Sequence, residues 1–254
     1  MTYPAPQSQS PESPTSAEQG QGTLEQGLAG NYTLTISDVV KEGWAKVSGN
    51  KGALWIGLAI YIVVQVAIGF VLGLFIGGDA PAPDAAAHMS TPGENLAETL
   101  ANLLTLPLGV GLMFLGVAVA SGREANPTSV FSWYDKFLKL VLTWILMAIM
   151  VLIGTLLLVL PGIYLAVSYQ LALPLVADKG LGPWEAMETS RKIVSKKWFT
   201  FFGLGLVAGL ATAGSVLLLG IPLIWVLPAC LIGIGVIYRN AIGVESTTLQ
   251  KVSN

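Results

Sequence analysis

Long apolar segments alternate with short basic segments along the chain after about residue 35. A helix needs about 20 apolar residues, each rising about 1.5 Å, to cross about 30 Å of hydrocarbon. Six segments approach this length, at about residues 53–77, 96–120, 137–160, 163–177, 198–219 and 221–238. The pattern predicts an all-α, polytopic membrane helix bundle over residues 35–243, with six transmembrane helices.

The last four segments form two pairs, each interrupted by a Pro/Gly break, at Pro161 and Gly162 and at residues 220–222. An apolar run with such a break in its middle is typical of a helical hairpin. The first two segments form a third hairpin through the acidic loop 78–95. Because the fourth and sixth segments are short for a straight crossing, the pattern leaves open whether they cross fully or are re-entrant. We favour full crossing.

All thirteen basic residues fall between the hairpins or beside them, so six crossings would place every one on the same side. They are Lys41, Lys46, Lys51, Arg123, Lys136, Lys139, Lys179, Arg191, Lys192, Lys196, Lys197, Arg239 and Lys251. Basic residues near span ends face the cytoplasm. The sequence therefore predicts a multi-pass protein of the cell inner membrane with cytoplasmic N- and C-termini.

A short segment with aromatic and basic residues precedes each predicted hairpin. Helical spacing places the apolar members of each segment near one face. These members are Val40, Trp44 and Val47, then Phe131, Tyr134 and Phe137 or Leu138, then Trp184, Met187, Val194 and Trp198. We therefore expect a cytoplasmic amphipathic helix before each hairpin.

The two ends of the chain have a different composition. Residues 1–34 are rich in Pro, Ser, Gln, Gly and Glu and contain no basic residue. Such a segment buries too little apolar surface to offset the entropy lost on ordering. It predicts a disordered cytoplasmic tail, and residues 244–254 predict a second, short cytoplasmic tail.

Composition narrows the class of function. Apolar residues make up 53% of the chain and charged residues 11%, whereas about a quarter of the residues in a soluble domain are charged. Membrane lipids are the expected partners, and no nucleic acid is expected. A protein partner on the cytoplasmic side and a homo-oligomer both stay open. Gly69, Gly73 and Gly77 form a small-residue stripe, as do Gly205 and Gly209, and we expect both stripes to pack within the chain rather than to form a dimer.

Candidate catalytic chemistry is sparse. The interiors of the predicted spans carry no acidic or basic side chain, which argues against proton coupling and against a catalytic dyad. His88 is the only histidine and lies in the acidic loop, where a solvated loop is a better interpretation than a metal site. Cys230, the only cysteine, lies in an apolar run. We expect no enzymatic activity, no metal and no cofactor.

Two groups of residues are candidate sites. Gln65, Asn102, Ser168 and Gln170 form a candidate intramembrane polar cluster. They either line a polar pathway or bond between helices, and we favour bonding. The basic group Arg191, Lys192, Lys196 and Lys197 lies beside two tryptophans and is a candidate anionic-lipid contact, with each charge contributing about 1 kcal/mol near such a surface.

Several short motifs resemble a known group of proteins. Residues 160–164 read LPGIY, residues 173–180 read LPLVADKG and residues 185–192 read EAMETSRK. The lead-in ISDVVKEGW at residues 36–44 and YRN at residues 238–240 belong to the same likeness. Together they resemble an uncharacterised bacterial polytopic membrane protein family, similar to the membrane domain of glycerophosphoryl diester phosphodiesterases. No phosphodiesterase domain is present, so the resemblance implies a bacterial cytoplasmic membrane and no hydrolase activity.

Two hypotheses for function follow. The first is a non-enzymatic, membrane-organising or partner-binding module that acts through its cytoplasmic amphipathic helices. The alternative is an uncoupled transporter or channel for a small or lipidic solute, since Pro107, Pro174 and Pro228 interrupt predicted spans and broken helices often line transporter sites.

Overall fold

The structure is a computed structural model that describes residues 21–76 and 92–253. All regular elements within these ranges are helical, and the ranges contain no strand. The α-helices are α1 (Leu24–Ala29), α2 (Ile36–Ala45), α3 (Val47–Ile76), α4 (Pro92–Ala120), α5 (Phe137–Leu157), α6 (Val159–Ser168), α7 (Ala172–Lys179), α8 (Pro183–Ser195), α9 (Trp198–Leu217), α10 (Leu223–Ala241) and α11 (Ser246–Ser253). A 3-10 segment (Pro127–Lys136) connects α4 to α5.

Six helical stretches of the described chain are long and apolar enough to cross a membrane. They are Val47–Ile76, Pro92–Ala120, Pro127–Leu157, Val159–Lys179, Trp198–Leu217 and Leu223–Ala241. The prediction of an all-α protein with six membrane-length helices is confirmed. Two stretches are composite, because the third joins the 3-10 segment to α5 and the fourth joins α6 to α7 across a break at residues 169–171.

The boundary between the third and fourth predicted spans lies earlier than expected. The chain reverses at Leu158, whose backbone is extended with φ −162° and ψ 142°. Pro161 and Gly162, the predicted turn, lie inside the first turn of α6 instead. A proline is tolerated there because the first N–H groups of a helix have no intrahelical acceptor.

The described parts of the two predicted tails, residues 21–34 and 244–253, pack against the rest of the chain. Helix α1 begins with a capping box between Thr23 and Gln26, and Tyr32 and Leu34 are buried in the core. Helix α11 buries Leu249. The predicted tails at residues 1–34 and 244–254 therefore fold at least over residues 21–34 and 244–253, and residues 1–20 lie outside the described ranges. The composition of these segments predicted disorder wrongly, because a few apolar residues are enough to pack against a large core formed by the rest of the chain.

The core lies around the C-terminal half of α4, which is almost fully buried from Leu108 to the end of the helix. Helices α3 and α10 and the 3-10 segment surround it. At the α4–α10 crossing, a Cβ on Gly116 would overlap the backbone at Leu231, and one on Gly235 would overlap the backbone at Gly116. Only glycine permits this approach, which brings the two helices into backbone contact.

The glycine stripes predicted from the sequence do not face another part of the described chain. A Cβ on Gly69, Gly73, Gly205 or Gly209 would meet nothing within 4 Å. Gly77 lies outside the described ranges. The expectation that these stripes pack within the chain is wrong. Spacing alone does not distinguish a helix face turned to a neighbouring helix from one turned outward, since lipid is as apolar as leucine.

An aromatic cluster connects α4, α10 and the 3-10 segment. The rings of Phe114 and Trp133 stack with centroids 4.5 Å apart, and the ring of Tyr238 meets Phe114 edge-on at 5.8 Å. The Tyr238 hydroxyl donates a 2.9 Å hydrogen bond to Asp178 Oδ2 at the end of α7. Asp178 Oδ1 in turn accepts from the backbone N–H of Glu245 at 3.1 Å. The ends of α7 and α10 are thereby joined.

An ion network lies at the C-terminus of α4. Arg239 donates from both terminal nitrogens to the Glu42 carboxylate, at 2.8 and 3.0 Å, and Lys46 pairs with the same carboxylate at 2.8 Å. Both cations also donate to the carbonyl of Ala120, the last residue of α4. The cations satisfy a carbonyl that the helix itself leaves without a partner and oppose the negative end of its dipole.

The charge of Glu42 is maintained by this network. Burial disfavours its carboxylate form, but the hydrogen bonds and charges of Arg239 and Lys46 outweigh burial and lower the pKa of Glu42 from its ordinary value of 4.5. Because the folded-state pKa is the lower one, the carboxylate stabilises the fold above that ordinary value. The contribution is lost as the pH falls through the folded-state pKa.

We expect Glu42→Gln to reduce stability by about 1 to 2 kcal/mol at neutral pH, because two hydrogen-bonded cations lose their anion. The measurement is the thermal unfolding midpoint of purified protein from pH 7 down to pH 3.5. The gap between native protein and variant should narrow below about pH 4.5. Glu185→Gln, at an exposed position on α8, is the control and should follow the native curve. A constant gap across the pH range would contradict the assigned role.

Candidate functional site

The polar residues of α3 and α4 bond to one another. Gln65 Nε2 donates to Asn102 Oδ1 at 2.9 Å, and Thr105 Oγ1 lies within hydrogen-bond distance of Gln65 Oε1. Thr105 also donates to the carbonyl of Ala101, one turn earlier, at 2.8 Å. A glutamine among apolar helices has no water to bond, so its amide binds the nearest polar groups.

A cavity of about 430 Å³ lies beside this polar group. Helix α4 forms one wall, and α3, α5 and the α6–α7 connection form the others. The lining residues are Tyr61, Thr99, Asn102, Thr105, Leu106, Gly109, Val110, Met113, Trp144, Gln170, Leu173 and Pro174. Asn102, Thr105 and Gln170 thus present polar groups to one mostly apolar space.

Ser168 lies apart from the cavity lining. It is fully buried, and its carbonyl accepts a 2.6 Å hydrogen bond from Ser190 Oγ on α8. The same Ser190 hydroxyl accepts from the N–H of Leu171 at 3.2 Å. Ser190 therefore bonds to backbone groups that the α6–α7 break leaves free. The break is where Gln170 reaches the cavity.

The sequence-derived polar cluster thus divides in two. Gln65, Asn102 and Gln170 lie at or beside the cavity, and Ser168 belongs to the α6–α7 break. Thr105 belongs to the cavity group and was missing from the candidate cluster. Its position three residues after Asn102, on the same face of α4, is the signal that identifies it.

The four basic candidates of residues 191–197 have different surroundings. Arg191 makes two hydrogen bonds to Glu188, at 2.9 and 2.8 Å, and these bonds lower the pKa of Glu188. Lys197 donates to the backbone carbonyl of Tyr32 at 2.6 Å and lies 5.1 Å from the centroid of its ring. Lys192 and Lys196 are exposed. Lys192 also lies 3.5 Å from a carboxylate oxygen of Glu188, so it shares this anion with Arg191.

Lys197 and α8 together bind the N-terminal segment. The Tyr32 hydroxyl donates to the carbonyl of Ile193 at 2.9 Å, and burial raises the pKa of Tyr32 to about 12. Gly27 of α1 packs against Ile193 so closely that a Cβ would contact its side chain. Helix α8 is therefore covered by α1 on one side.

The segments that precede the predicted hairpins each contain buried residues and expose a large aromatic residue. Trp44 is 55% exposed, Phe131 47% and Trp184 61%. The buried side of α2 consists of Val39 and Gly43. The sequence predicts that Val40, Trp44 and Val47 lie on one apolar face. In the structure Val40 and Trp44 are exposed, whereas Val47 is buried. The predicted apolar faces of the first and third segments are therefore divided between the core and the outside. In the second segment Phe131, Tyr134 and Leu138 are all exposed.

The described ranges contain no cluster of three or more His, Cys, Asp or Glu side chains that could hold a metal ion. His88 and most of the acidic loop lie outside those ranges. Tyr61 is the only titratable residue that lines the cavity among the residues described.

These features define a class, a multi-pass helical membrane protein with a small, mainly apolar cavity and aromatic residues at its surface. Comparison with protein families, with characterised proteins and with solved structures finds no match to this chain.

We expect Gln65→Leu to lower stability by about 1 kcal/mol, because it removes the interhelical bonds to Asn102 and Thr105. Gln170→Leu is the matched control, since its side chain lines the same cavity without a hydrogen bond to a described residue. The measurement is the thermal unfolding midpoint of both variants in the same detergent. Equal shifts in the two variants would contradict the bonding pattern.

Proposed function

We propose that the protein is a non-enzymatic, membrane-organising module of the bacterial inner membrane, with both termini and its basic residues on the cytoplasmic side. The observation that carries this proposal is the exposed aromatic residue on each segment that precedes a hairpin. Tryptophan is enriched at membrane–water interfaces because its ring is apolar and its N–H is polar. Trp44 and Trp184 fit that environment, and Phe131 contributes a purely apolar ring.

The distribution of charge supports the same orientation. Lys41 and Lys192 are exposed on the helices that carry Trp44 and Trp184. Anionic headgroups on the cytoplasmic leaflet attract such cations by about 1 kcal/mol each. In this proposal α2, the 3-10 segment and α8 are the amphipathic elements at the cytoplasmic surface, and α3–α4, α5–α7 and α9–α10 are the three hairpins they precede.

A non-enzymatic role is supported by how the acidic groups are used. Glu42 and Asp178 bond to partners that hold helix ends together, and Glu188 pairs with Arg191 on its own helix. These bonds account for the position of each carboxylate without a substrate. The resemblance to a phosphodiesterase-associated membrane domain adds no activity to the proposal.

A photoreactive amino acid placed singly at Trp44, Phe131 and Trp184 tests the proposal. After irradiation of membranes that contain the full chain, we expect lipid adducts at all three positions, detected by mass spectrometry. The same probe at Trp133, which is buried in the aromatic cluster, should give no lipid adduct. A reproducible protein adduct in place of lipid would instead indicate a partner-binding surface and contradict the lipid assignment.

A second candidate function is an uncoupled path or binding site for a small or lipidic solute. The cavity beside Gln65 favours it, because apolar walls with a few polar groups are typical of ligand sites. Gln170 and Tyr61 line this cavity with polar groups that make no side-chain hydrogen bond to a described residue, so both are available to a solute.

Efflux of a panel of small neutral solutes and fluorescent lipids from reconstituted vesicles tests this second function. A transporter should accelerate efflux above protein-free vesicles, and Gln170→Ala should reduce that rate. Thr212→Ala is the control, because Thr212 lies outside the cavity lining and donates to the carbonyl of Ala208 on α9. No acceleration by the native protein would remove the candidate.

A further inference from the structure

The tips of two hairpins are apolar and fully exposed. Residues 156–160, between α5 and α6, read LLLVL, and residues 216–219, at the end of α9, read VLLL. Leu160 is 78% exposed and Leu219 is 91% exposed. A turn that emerges into water beyond a membrane ordinarily contains polar residues, since loops are solvated. These two tips contain none.

Basic residues lie close to the first tip. The segment that contains Arg191 to Lys197 is bracketed by two contacts with α6. Ser190 Oγ donates to the carbonyl of Ser168 at 2.6 Å, and Trp198 Nε1 donates to the carbonyl of Tyr164 at 3.3 Å. The C-terminal end of α8, which carries the exposed cations Lys192 and Lys196, therefore lies beside α6. Only six residues, or about 9 Å of helix, separate Tyr164 from the reversal at Leu158.

The second tip has the same arrangement. Trp55 Nε1 donates to the carbonyl of Ile224 at 3.0 Å, and Lys51 Nζ lies 5.8 Å from the centroid of the Trp225 ring. Lys51 is exposed and begins the first membrane-length helix on its basic side. Only five residues separate Ile224 from Leu219, and most of them form the turn that precedes α10. Six full crossings would require the start of α10 and Lys51 to lie on opposite surfaces.

The first hairpin differs from the other two in where its basic contacts lie and not in helix length, since α5 has 21 residues and α9 has 20. Twenty-one residues, or about 32 Å of helix, separate Trp55 from Ile76, the last described residue of α3. No charged residue lies between Lys51 and Ile76, and none lies between Glu98 and Arg123 on the return. Both stretches are long enough to cross about 30 Å of hydrocarbon with their charges at the two surfaces.

The backbone of the second tip points to an apolar environment. Leu219 has φ 58°, in the left-handed region, and precedes Gly220 with φ 77°. A left-handed conformation costs a leucine about 1 kcal/mol or more, and glycine or asparagine is the usual residue there. The transfer of an exposed leucine side chain from water into hydrocarbon is favourable, and its free energy offsets this cost.

We propose that only α3–α4 crosses the membrane, and that the tips of α5–α6 and α9–α10 insert into the acyl chains of the leaflet on the basic side. The proposal rests on the membrane location proposed above. The cations beside Tyr164 and Ile224 must stay at the headgroups, so a tip five or six residues beyond them enters only the near leaflet, at the depth of an interfacial apolar face. Because α5 and α9 are each about 30 Å long, they must then run obliquely to the bilayer normal. Two such tips add protein volume to one leaflet and not to the other, which is a means of organising a membrane.

Cysteine labelling in the full chain tests the proposal. With Cys230→Ser as background, single cysteines replace Leu158, Leu219 or Ala86, the last in the acidic loop. A membrane-impermeant maleimide is added to intact cells and then to inverted vesicles. We expect Ala86→Cys to be labelled in intact cells, and Leu158→Cys and Leu219→Cys to show no labelling above background until the membrane is dissolved.

A second set of variants covers the case of a tip that crosses but stays just below the far surface. A Gly-Ser-Cys-Ser-Gly insert after Leu158 or after Gly220 would extend such a tip into water on the side where Ala86→Cys is labelled. We expect no labelling of either insert on that side. Labelling of a tip or insert there, as fast as Ala86→Cys, would overturn the proposal. Labelling of Ala86→Cys only in inverted vesicles would contradict the proposed orientation. The test of the tips would still hold, because it compares the side on which each tip is labelled with the side on which Ala86→Cys is labelled.

Discussion

The buried C-terminal half of α4 imposes the constraint on which the surrounding packing depends. A helix that ends inside a protein leaves backbone carbonyls without partners, and they must be satisfied there. Arg239 and Lys46 supply the bonds to the Ala120 carbonyl, and Glu42 balances their charge. These three residues come from α2, from its C-terminal boundary and from α10, so the end of α4 determines where both helices lie.

The same constraint explains the close contacts around α4. Gly116 allows α10 to approach until backbones touch, and Gly111 does the same for Val130 of the 3-10 segment. Once α10 lies there, Tyr238 reaches both Phe114 and the carboxylate of Asp178. The end of α7 is then fixed in position, and the α6–α7 break places Gln170 at the cavity. The cavity is therefore a consequence of packing that begins at a different part of the molecule.

Charge position determines more about membrane placement than apolar length does. Six helices are long and apolar enough to cross a membrane, but their contacts place Lys51 beside the first turn of α10 and the basic end of α8 beside α6. An exposed cation is costly in hydrocarbon, whereas an exposed leucine is costly in water. Together these two costs favour the shallow insertion proposed for the α5–α6 and α9–α10 tips. In that arrangement the exposed aromatic residues and the tips all contact the same leaflet.

The sequence by itself determined the helical class, the six membrane-length segments and the presence of polar residues in apolar surroundings, because each depends only on local composition and run length. Only the tertiary structure decided that Thr105 joins Gln65 while Ser168 does not, and that Lys197 binds the backbone at Tyr32. It also showed that residues 21–34 and 244–253 pack against the rest of the chain. Each of these depends on contacts between residues far apart in the chain, such as the 165 positions between Tyr32 and Lys197, and periodicity along one helix contains no information about such partners.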